Sequence, residues 1–101
     1  MGRLIRCITS DGLIMATALD STDIVSKAES LHKTSAVVTA ALGRLLTATS
    51  MMGDMLKGKK DTVTVKIAGN GPVGSVIAAA DSDGNVRGYA VNPIVEIPLK
   101  E

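Results

Sequence analysis

The chain has 101 residues, of which 46% are hydrophobic, and Tyr89 is its only aromatic side chain. One domain is the most that this length supports, and its core has to be built from aliphatic side chains and methionine. The net charge of +1 and the near absence of aromatic side chains argue against a nucleic-acid partner, which would require a basic surface and stacking groups.

The first two predicted elements are strands at residues 3–9 and 13–19. Asp11-Gly12 lies between these two apolar runs, and this dipeptide is a strong hairpin signal. The apolar run at the N-terminus is too short for a secretory signal, so we expect a cytoplasmic protein.

A helical period follows in the segment DSTDIVSKAESLHKT, where Ile24, Ala28 and Leu31 recur at i, i+4 and i+7. The polar residues at 20–22 are good N-cap types. A second helix is predicted over residues 35–56, with Gly58 as the residue that ends it.

The second helix is apolar around most of its circumference. Two neighbouring seams consist of Val38, Leu42, Leu45, Thr49, Met52 and Leu56, and of Val37, Ala41, Ala48, Met51 and Met55. A helix of this kind is usually buried or covered by a partner. Its length would also span a bilayer, but Arg44 near its middle costs roughly 2.5–3.5 kcal/mol on insertion. We therefore predict a buried central helix and no membrane partner.

Three further strands are predicted after the second helix. Residues 61–69 alternate apolar and polar side chains, residues 72–81 form the next strand, and residues 86–92 follow a turn at 82–85. Residues 94–99 would begin a fourth strand, with Pro98 restricting it to an edge. The order β-β-α-α-β-β-β predicts an α+β fold with a mostly antiparallel sheet packed on the central helix, in one domain over residues 1–101.

The segment GNGPVG (69–74) has two interpretations, a phosphate-binding loop and a tight connection between strands. Pro72 removes a backbone donor from its middle, and a strand rather than a helix follows. We therefore predict a connection with positive φ angles at residues 69–71, and a bulge or close backbone contact at Gly74.

No residue set points to catalysis, a cofactor or a metal. His32 is the only histidine, and Cys7 is the only cysteine, so thiolate zinc sites and internal disulfides are not possible. Asp81, Asp83 and Gly84 begin like a calcium loop but lack its later ligands, which favours a plain turn. We expect neither enzyme activity nor a bound cofactor.

Two stretches of the chain closely resemble the N-terminal part of the heat shock protein 33 family. They are ALGRLLTATSMMGDMLKG (41–58) and TVKIAGNGPVGSVIAAADSDGNVRGYAVNP (64–93). The resemblance implies a cytoplasmic, ATP-independent holdase chaperone of the stress response, which binds unfolding proteins and whose N-terminal α/β domain takes part in dimers. The family's redox switch lies in a C-terminal zinc region with paired cysteines.

None of those paired cysteines is present, and Cys7 matches no zinc ligand position. We therefore expect no zinc in this chain, and we expect the chain to be a fragment, a shortened form or a short divergent relative that lacks the redox domain. What remains of the family's function is client binding.

Methionine-rich surfaces accept many sequences because the side chain is flexible and polarizable. We predict a client-binding surface formed by Leu45, Met51, Met52, Met55 and Leu56, with unfolded proteins and a second copy of the chain as partners. Two alternatives stay open. The methionines instead fill the core, or the chain is a passive dimerisation module without client binding of its own.

Overall fold

The computed structural model describes residues 3–95 and contains seven regular elements. They are the strands β1 (Arg3–Ile8) and β2 (Met15–Asp20), the helices α1 (Thr22–His32) and α2 (Ala36–Asp54), and the strands β3 (Thr62–Ala68), β4 (Ser75–Asp81) and β5 (Val86–Ala90). The predicted order and the α+β class are confirmed. Both sheets are antiparallel, a two-stranded β1-β2 sheet and a three-stranded sheet with the order β3-β4-β5. Most of the fourth strand predicted from residue 94 lies outside the described residues.

The first hairpin has a wider loop than its sequence suggests, because β1 ends at Ile8 and β2 begins at Met15. Gly12 adopts a φ of 75° and donates its N–H to the carbonyl of Thr9 at 2.9 Å. The Asp11 carboxylate accepts hydrogen bonds from the Thr9 hydroxyl at 2.5 Å and from the Leu13 N–H at 3.1 Å. These side-chain bonds take the place of a tight two-residue turn.

Helix α1 begins after Ser21, whose side chain makes no capping hydrogen bond. The Asp20 carboxylate instead accepts bonds from the N–H and the hydroxyl of Thr22, at 3.1 and 2.8 Å. The helix ends at Lys33, which has a left-handed conformation and donates its N–H to the carbonyl of Glu29 at 2.8 Å. Every residue of α1 retains some exposure, so this helix covers one flank of the core.

The core lies between α2 and the inner face of the three-stranded sheet. Val38, Leu42 and Leu46 of α2 are buried, as are Ala78 and Ala80 of β4. By length and composition alone α2 qualifies as a membrane span. A core helix passes the same test, and the burial of its sheet-facing side shows the central packing that the apolar seams predict.

Two glycines set the distance between α2 and the sheet. A Cβ at Gly53 would clash with the backbone carbonyl of Asp81 and lie 2.8 Å from Cβ of Ala80. A Cβ at Gly88 would lie 2.5 Å from the carbonyl oxygen of Ile77 and 3.0 Å from a methyl group of Leu46. Neither position has room for a larger residue.

Two predictions about glycines are wrong. Helix α2 ends at Asp54 rather than near Gly58, whose N–H is bound by the Asp61 carboxylate at 2.9 Å. In the segment GNGPVG, positive φ occurs at Gly74, which precedes β4, and not at residues 69–71. The segment is nonetheless a hairpin connection, because the N–H of Gly69 bonds to the carbonyl of Gly74 at 3.1 Å.

We expect Gly53→Ala to lower the free energy of unfolding by about 1–3 kcal/mol, because the added methyl group forces α2 away from β4. This loss should appear even though alanine is the better helix former by about 1 kcal/mol. Gly71→Ala is the control, since no atom lies within 4 Å of its Cβ position. Urea denaturation of both variants measures the difference, and equal midpoints would contradict the close packing.

A pH titration can detect the side-chain hydrogen bonds of Asp11 in the hairpin loop. The bond from the Thr9 hydroxyl, followed by the bond from the Leu13 N–H, lowers the pKa of Asp11 below its usual value. The bonds therefore stabilise the folded loop at pH values above the usual pKa of aspartate. This contribution is lost as the pH falls through the lowered pKa of Asp11.

We expect Thr9→Val to raise the pKa of Asp11 towards its usual value, as measured by NMR titration of the carboxyl carbon. The pKa of Asp20 is lowered by Thr22 and serves as the internal control, since it should not change. A constant Asp11 pKa would show that the Thr9 bond does not form in solution.

Candidate functional site

The five residues predicted to bind clients fall in two environments. Leu45 is only 7% exposed and belongs to the core, so it offers no surface for a ligand. Met52 and Met55 are 42% and 48% exposed, while Met51 and Leu56 are half-buried. We call Met51, Met52, Met55 and Leu56 the methionine patch.

The contacts of α2 show which side of the helix each residue occupies. Gly53 lies against β4, Leu46 against Gly88 of β5, and Gly43 against Val25 of α1. Each residue turns the helix by about 100°, so the side opposite α1 can be read from these contacts. Leu45 on this side is buried, and we call the residues that are not buried the side stripe: Val37, Ala41, Ala48, Met52 and Met55.

α1 contacts β5, and the strand order places β3 at the opposite edge of the sheet, so the side stripe, on the side of α2 away from α1, lies on the β3 side. It carries no charged residue, although Arg44 flanks it. Val37 in the first turn and Met52 in the last are 41% and 42% exposed, whereas Leu45, on nearly the same side between them, is 7% exposed. Apolar side chains on this side of α2 are therefore open to solvent towards both ends of the helix.

The inner face of the sheet also becomes exposed towards β3. Val76 and Ala78 of β4 are buried, at 8% and 0% exposure. Val63 and Val65 occupy the same face of β3 and are half-buried, and Ile67 is 58% exposed. The core of the domain thus opens sideways between β3 and α2.

A second apolar surface is a groove between α1 and α2. Its lining includes Val25, Ala40, Gly43 and Met51. Gly43 permits the close approach of the two helices, since a Cβ there would lie 3.0 Å from both methyl groups of Val25. Ala36, Ala40, Gly43 and Thr47 form a row of small residues on this side of α2, and the element that packs beside it is α1.

The β1-β2 hairpin is the third apolar surface, and the sequence pattern does not predict it. Large apolar side chains in it are more than half exposed, namely Ile5, Ile8, Leu13, Ile14 and Met15. An ion pair between Nε of Arg6 and Oδ2 of Asp54, at 3.3 Å, links the hairpin to the end of α2. Because hydrophobic residues on both faces of a strand resemble an ordinary buried strand, the pattern alone does not reveal that they are uncovered.

Within residues 3–95 no group of three or more histidine, cysteine, aspartate or glutamate side chains is placed to hold a metal ion. Cys7 is exposed on β1. The carboxylate of Asp81 accepts hydrogen bonds from the N–H groups of Asp83 and Asn85, at 2.9 and 3.1 Å, which is the geometry of a plain turn.

The fold and these surfaces define a small α+β domain whose distinguishing feature is uncovered apolar surface on a helix and beside a sheet edge. The chain belongs to the Hsp33 protein family, whose family model matches residues 2–101. The predicted resemblance is therefore confirmed.

Relatives described as 33 kDa chaperonin include one from Alkaliphilus metalliredigens, which is 52% identical over 93% of this chain, and one from Bacillus pumilus, which is 45% identical over 100% of it. The crystal structure of the 33 kDa chaperonin from Thermotoga maritima superimposes on 97% of the chain with a TM-score of 0.89 and 33% identity. The chain spans about a third of the length of these proteins, 32%, 34% and 33% respectively.

Measurements of unfolding free energy can test whether the methionines lie at the surface or in the core. We expect Leu42→Ala to lower the free energy of unfolding by about 2–5 kcal/mol, because it leaves a cavity in the core. Met55→Ala should change it by about 0.5 kcal/mol or less, as is usual for surface positions. Chemical denaturation measures both, and a large loss for Met55→Ala would show that this residue is covered in solution.

Proposed function

We propose that this chain is an ATP-independent chaperone module that binds unfolded polypeptides at the methionine patch. The observation that carries the proposal is the exposure of Met52 and Met55 at the end of α2. Large exposed apolar surfaces on a soluble domain mark interaction sites. The membership of the Hsp33 family and the name of the relatives, 33 kDa chaperonin, support this reading.

The chemistry of the patch suits clients without a defined sequence. Methionine side chains have three rotatable bonds and a polarizable sulfur, so they adapt to different apolar partners. Arg6 pairs with Asp54, the carboxylate nearest to these methionines in sequence, which limits its effect as an unpaired negative charge. The patch therefore offers apolar contact and has no polar groups that would select a particular client sequence.

The expected strength of binding is moderate. Complete burial of a methionine side chain contributes about 1.5–3 kcal/mol, and the patch already buries part of its own surface. Association and ordering of the client oppose this gain by several kcal/mol, on the order of 4–15. Reversible capture of clients, without a nucleotide cycle, is consistent with this balance.

We further propose that client binding by this chain is independent of zinc and of redox state, in a cytoplasmic setting. The support is the sequence, which lacks the paired cysteines that the family resemblance assigns to the switch. The relatives bear the name of a chaperonin and not of an enzyme, which fits a binding function.

Dimerisation with a second copy of the chain is the second candidate function, and the exposed hairpin favours it. Ile5 and Ile8 are 52% and 67% exposed on a two-stranded sheet, and an isolated hairpin is only marginally stable in water. A second copy that covers these residues would stabilise it. Sedimentation equilibrium tests this candidate, and a monomer at all concentrations would rule it out.

We expect the double substitution Met51→Glu with Met55→Glu to abolish the suppression of client aggregation, because two charges replace apolar contact. Light scattering of a chemically unfolded client, diluted into the protein, is the measurement. The assay is run in dithiothreitol and in peroxide, and the unsubstituted chain should suppress aggregation equally in both.

The matched control is Leu31→Glu with Val91→Glu. It adds the same charge and replaces two apolar side chains away from the methionine patch and from the hairpin, since Leu31 and Val91 are 67% and 54% exposed. Retained suppression in the control, with both variants folded by circular dichroism, supports the methionine patch. Undiminished suppression in the Met51/Met55 variant would remove the patch from the proposal.

A further inference from the structure

The outer edge of β3 presents backbone groups that no other described residue pairs. β3 is at one end of the order β3-β4-β5, and within residues 3–95 only β4 is hydrogen-bonded to it. The N–H of Gly69 bonds to Gly74 at the hairpin end. Because an antiparallel ladder alternates, the odd-numbered residues of β3 face β4, and the N–H and C=O groups of Thr62, Thr64, Lys66 and Ala68 point to the open edge.

Apolar surface lies directly beside this open edge. The exposed Met52 and Met55 of the side stripe lie towards the start of β3, because Gly53 beside them packs on Asp81, the partner of Thr62. The exposed Ile67 lies on the inner face near the end of β3. A further strand on β3 would place alternate side chains between the side stripe and the sheet. Both backbone and side-chain requirements of an added strand are therefore met along this edge.

The charged residues that directly precede β3 or belong to it are mainly basic. Lys57, Lys59 and Lys60 precede β3, and Lys66 lies in its second half on the face away from α2. The one acidic residue among them, Asp61, is engaged by the N–H of Gly58 at 2.9 Å. Opposite charges directly across a strand pair stabilise the pair, so acidic side chains fit the outer face of an added strand.

We propose that the edge of β3 captures clients as an added antiparallel strand, and that it prefers extended segments in which apolar and acidic residues alternate. The mode is strand addition, in which main-chain bonds give affinity and alternate side chains give preference. This inference rests on the proposed function, since it specifies how an unfolded client reaches the methionine patch. The apolar side chains of the client contact the side stripe, and its acidic side chains lie beside Lys66.

The first test uses a seven-residue peptide of alternating valine and glutamate with blocked ends, matching the seven residues of β3. Amide hydrogen exchange of Thr64 and Lys66 is expected to be fast without the peptide and about tenfold slower or more with it, as for a hydrogen bond worth about 1.4 kcal/mol. Slow exchange without peptide would overturn the proposal, because another part of the chain or a second copy would already fill the edge.

Backbone methylation of the peptide gives a sharper test. Peptide valines on the inner face lie opposite Val63 and Val65, whose own N–H groups face β4, so the valine amides point away from β3. The glutamate amides point towards it. We expect N-methylation of the glutamates to abolish binding and N-methylation of the valines to preserve it. The reverse result, or equal losses, would exclude strand addition.

On the protein, Thr64→Pro removes one outward N–H without removing a bond to β4, and proline is tolerated in edge strands. Thr64→Ala keeps the N–H and is the matched control. We expect the proline variant to bind the peptide about tenfold more weakly and the alanine variant to bind it unchanged. If the proline variant does not fold, Lys66→Glu provides the test, and it should reverse the preference in favour of a valine–lysine peptide.

The client assay separates this inference from the proposed function. A folded Thr64→Pro variant that binds no peptide yet suppresses client aggregation fully overturns the inference and leaves the proposed function in place. Reduced suppression in Thr64→Pro, with full suppression in Thr64→Ala, supports both. Loss of suppression by the Met51/Met55 variant, with peptide binding retained, would show that the edge is not the route by which clients bind.

Discussion

The close contact between α2 and β4 is the constraint on which the rest of the domain depends. Gly53 has no room for a side chain against the backbone of Asp81, and Ala78 and Ala80 present only methyl groups to the helix. With the helix so close, Val38, Leu42 and Leu46 are excluded from water. Aliphatic side chains alone can fill such a thin layer, which explains how a core forms with a single aromatic residue in the chain.

The hairpins and helices could be predicted because each has a local signal. Val63, Thr64, Val65 and Lys66 alternate as a half-buried strand does, and Ile24 and Ala28 recur with a helical period. The end of α2 could not be predicted from Gly58, because the Asp61 carboxylate binds its N–H in a loop beyond the helix. The spacing of apolar residues does not reveal a side-chain hydrogen bond of this kind.

The division of α2 into a buried and an exposed side was beyond the reach of its sequence. Both of its seams are apolar, so hydrophobicity alone does not say which one meets the sheet. Leu45 and Met52 belong to the same predicted seam, yet Leu45 is buried and Met52 is 42% exposed. The two residues are seven positions apart and lie on nearly the same side of the helix, so what separates them is their position along its length, which only the tertiary fold reveals. The family resemblance predicts the class of protein but not which part of α2 is exposed.

The open side of α2 follows from an asymmetry in the layer of helices. Two packed helices need interaxial distances of about 8–10 Å, and strands lie about 4.8 Å apart, so one helix covers roughly two strands. α1 contacts both α2 and β5, and it closes the core on that flank. Within residues 3–95 no element closes the opposite flank, where Ile67 and Met52 remain exposed. Apolar surface and unpaired backbone groups therefore occur together at β3, and a polypeptide segment that satisfies one of them is positioned to satisfy the other.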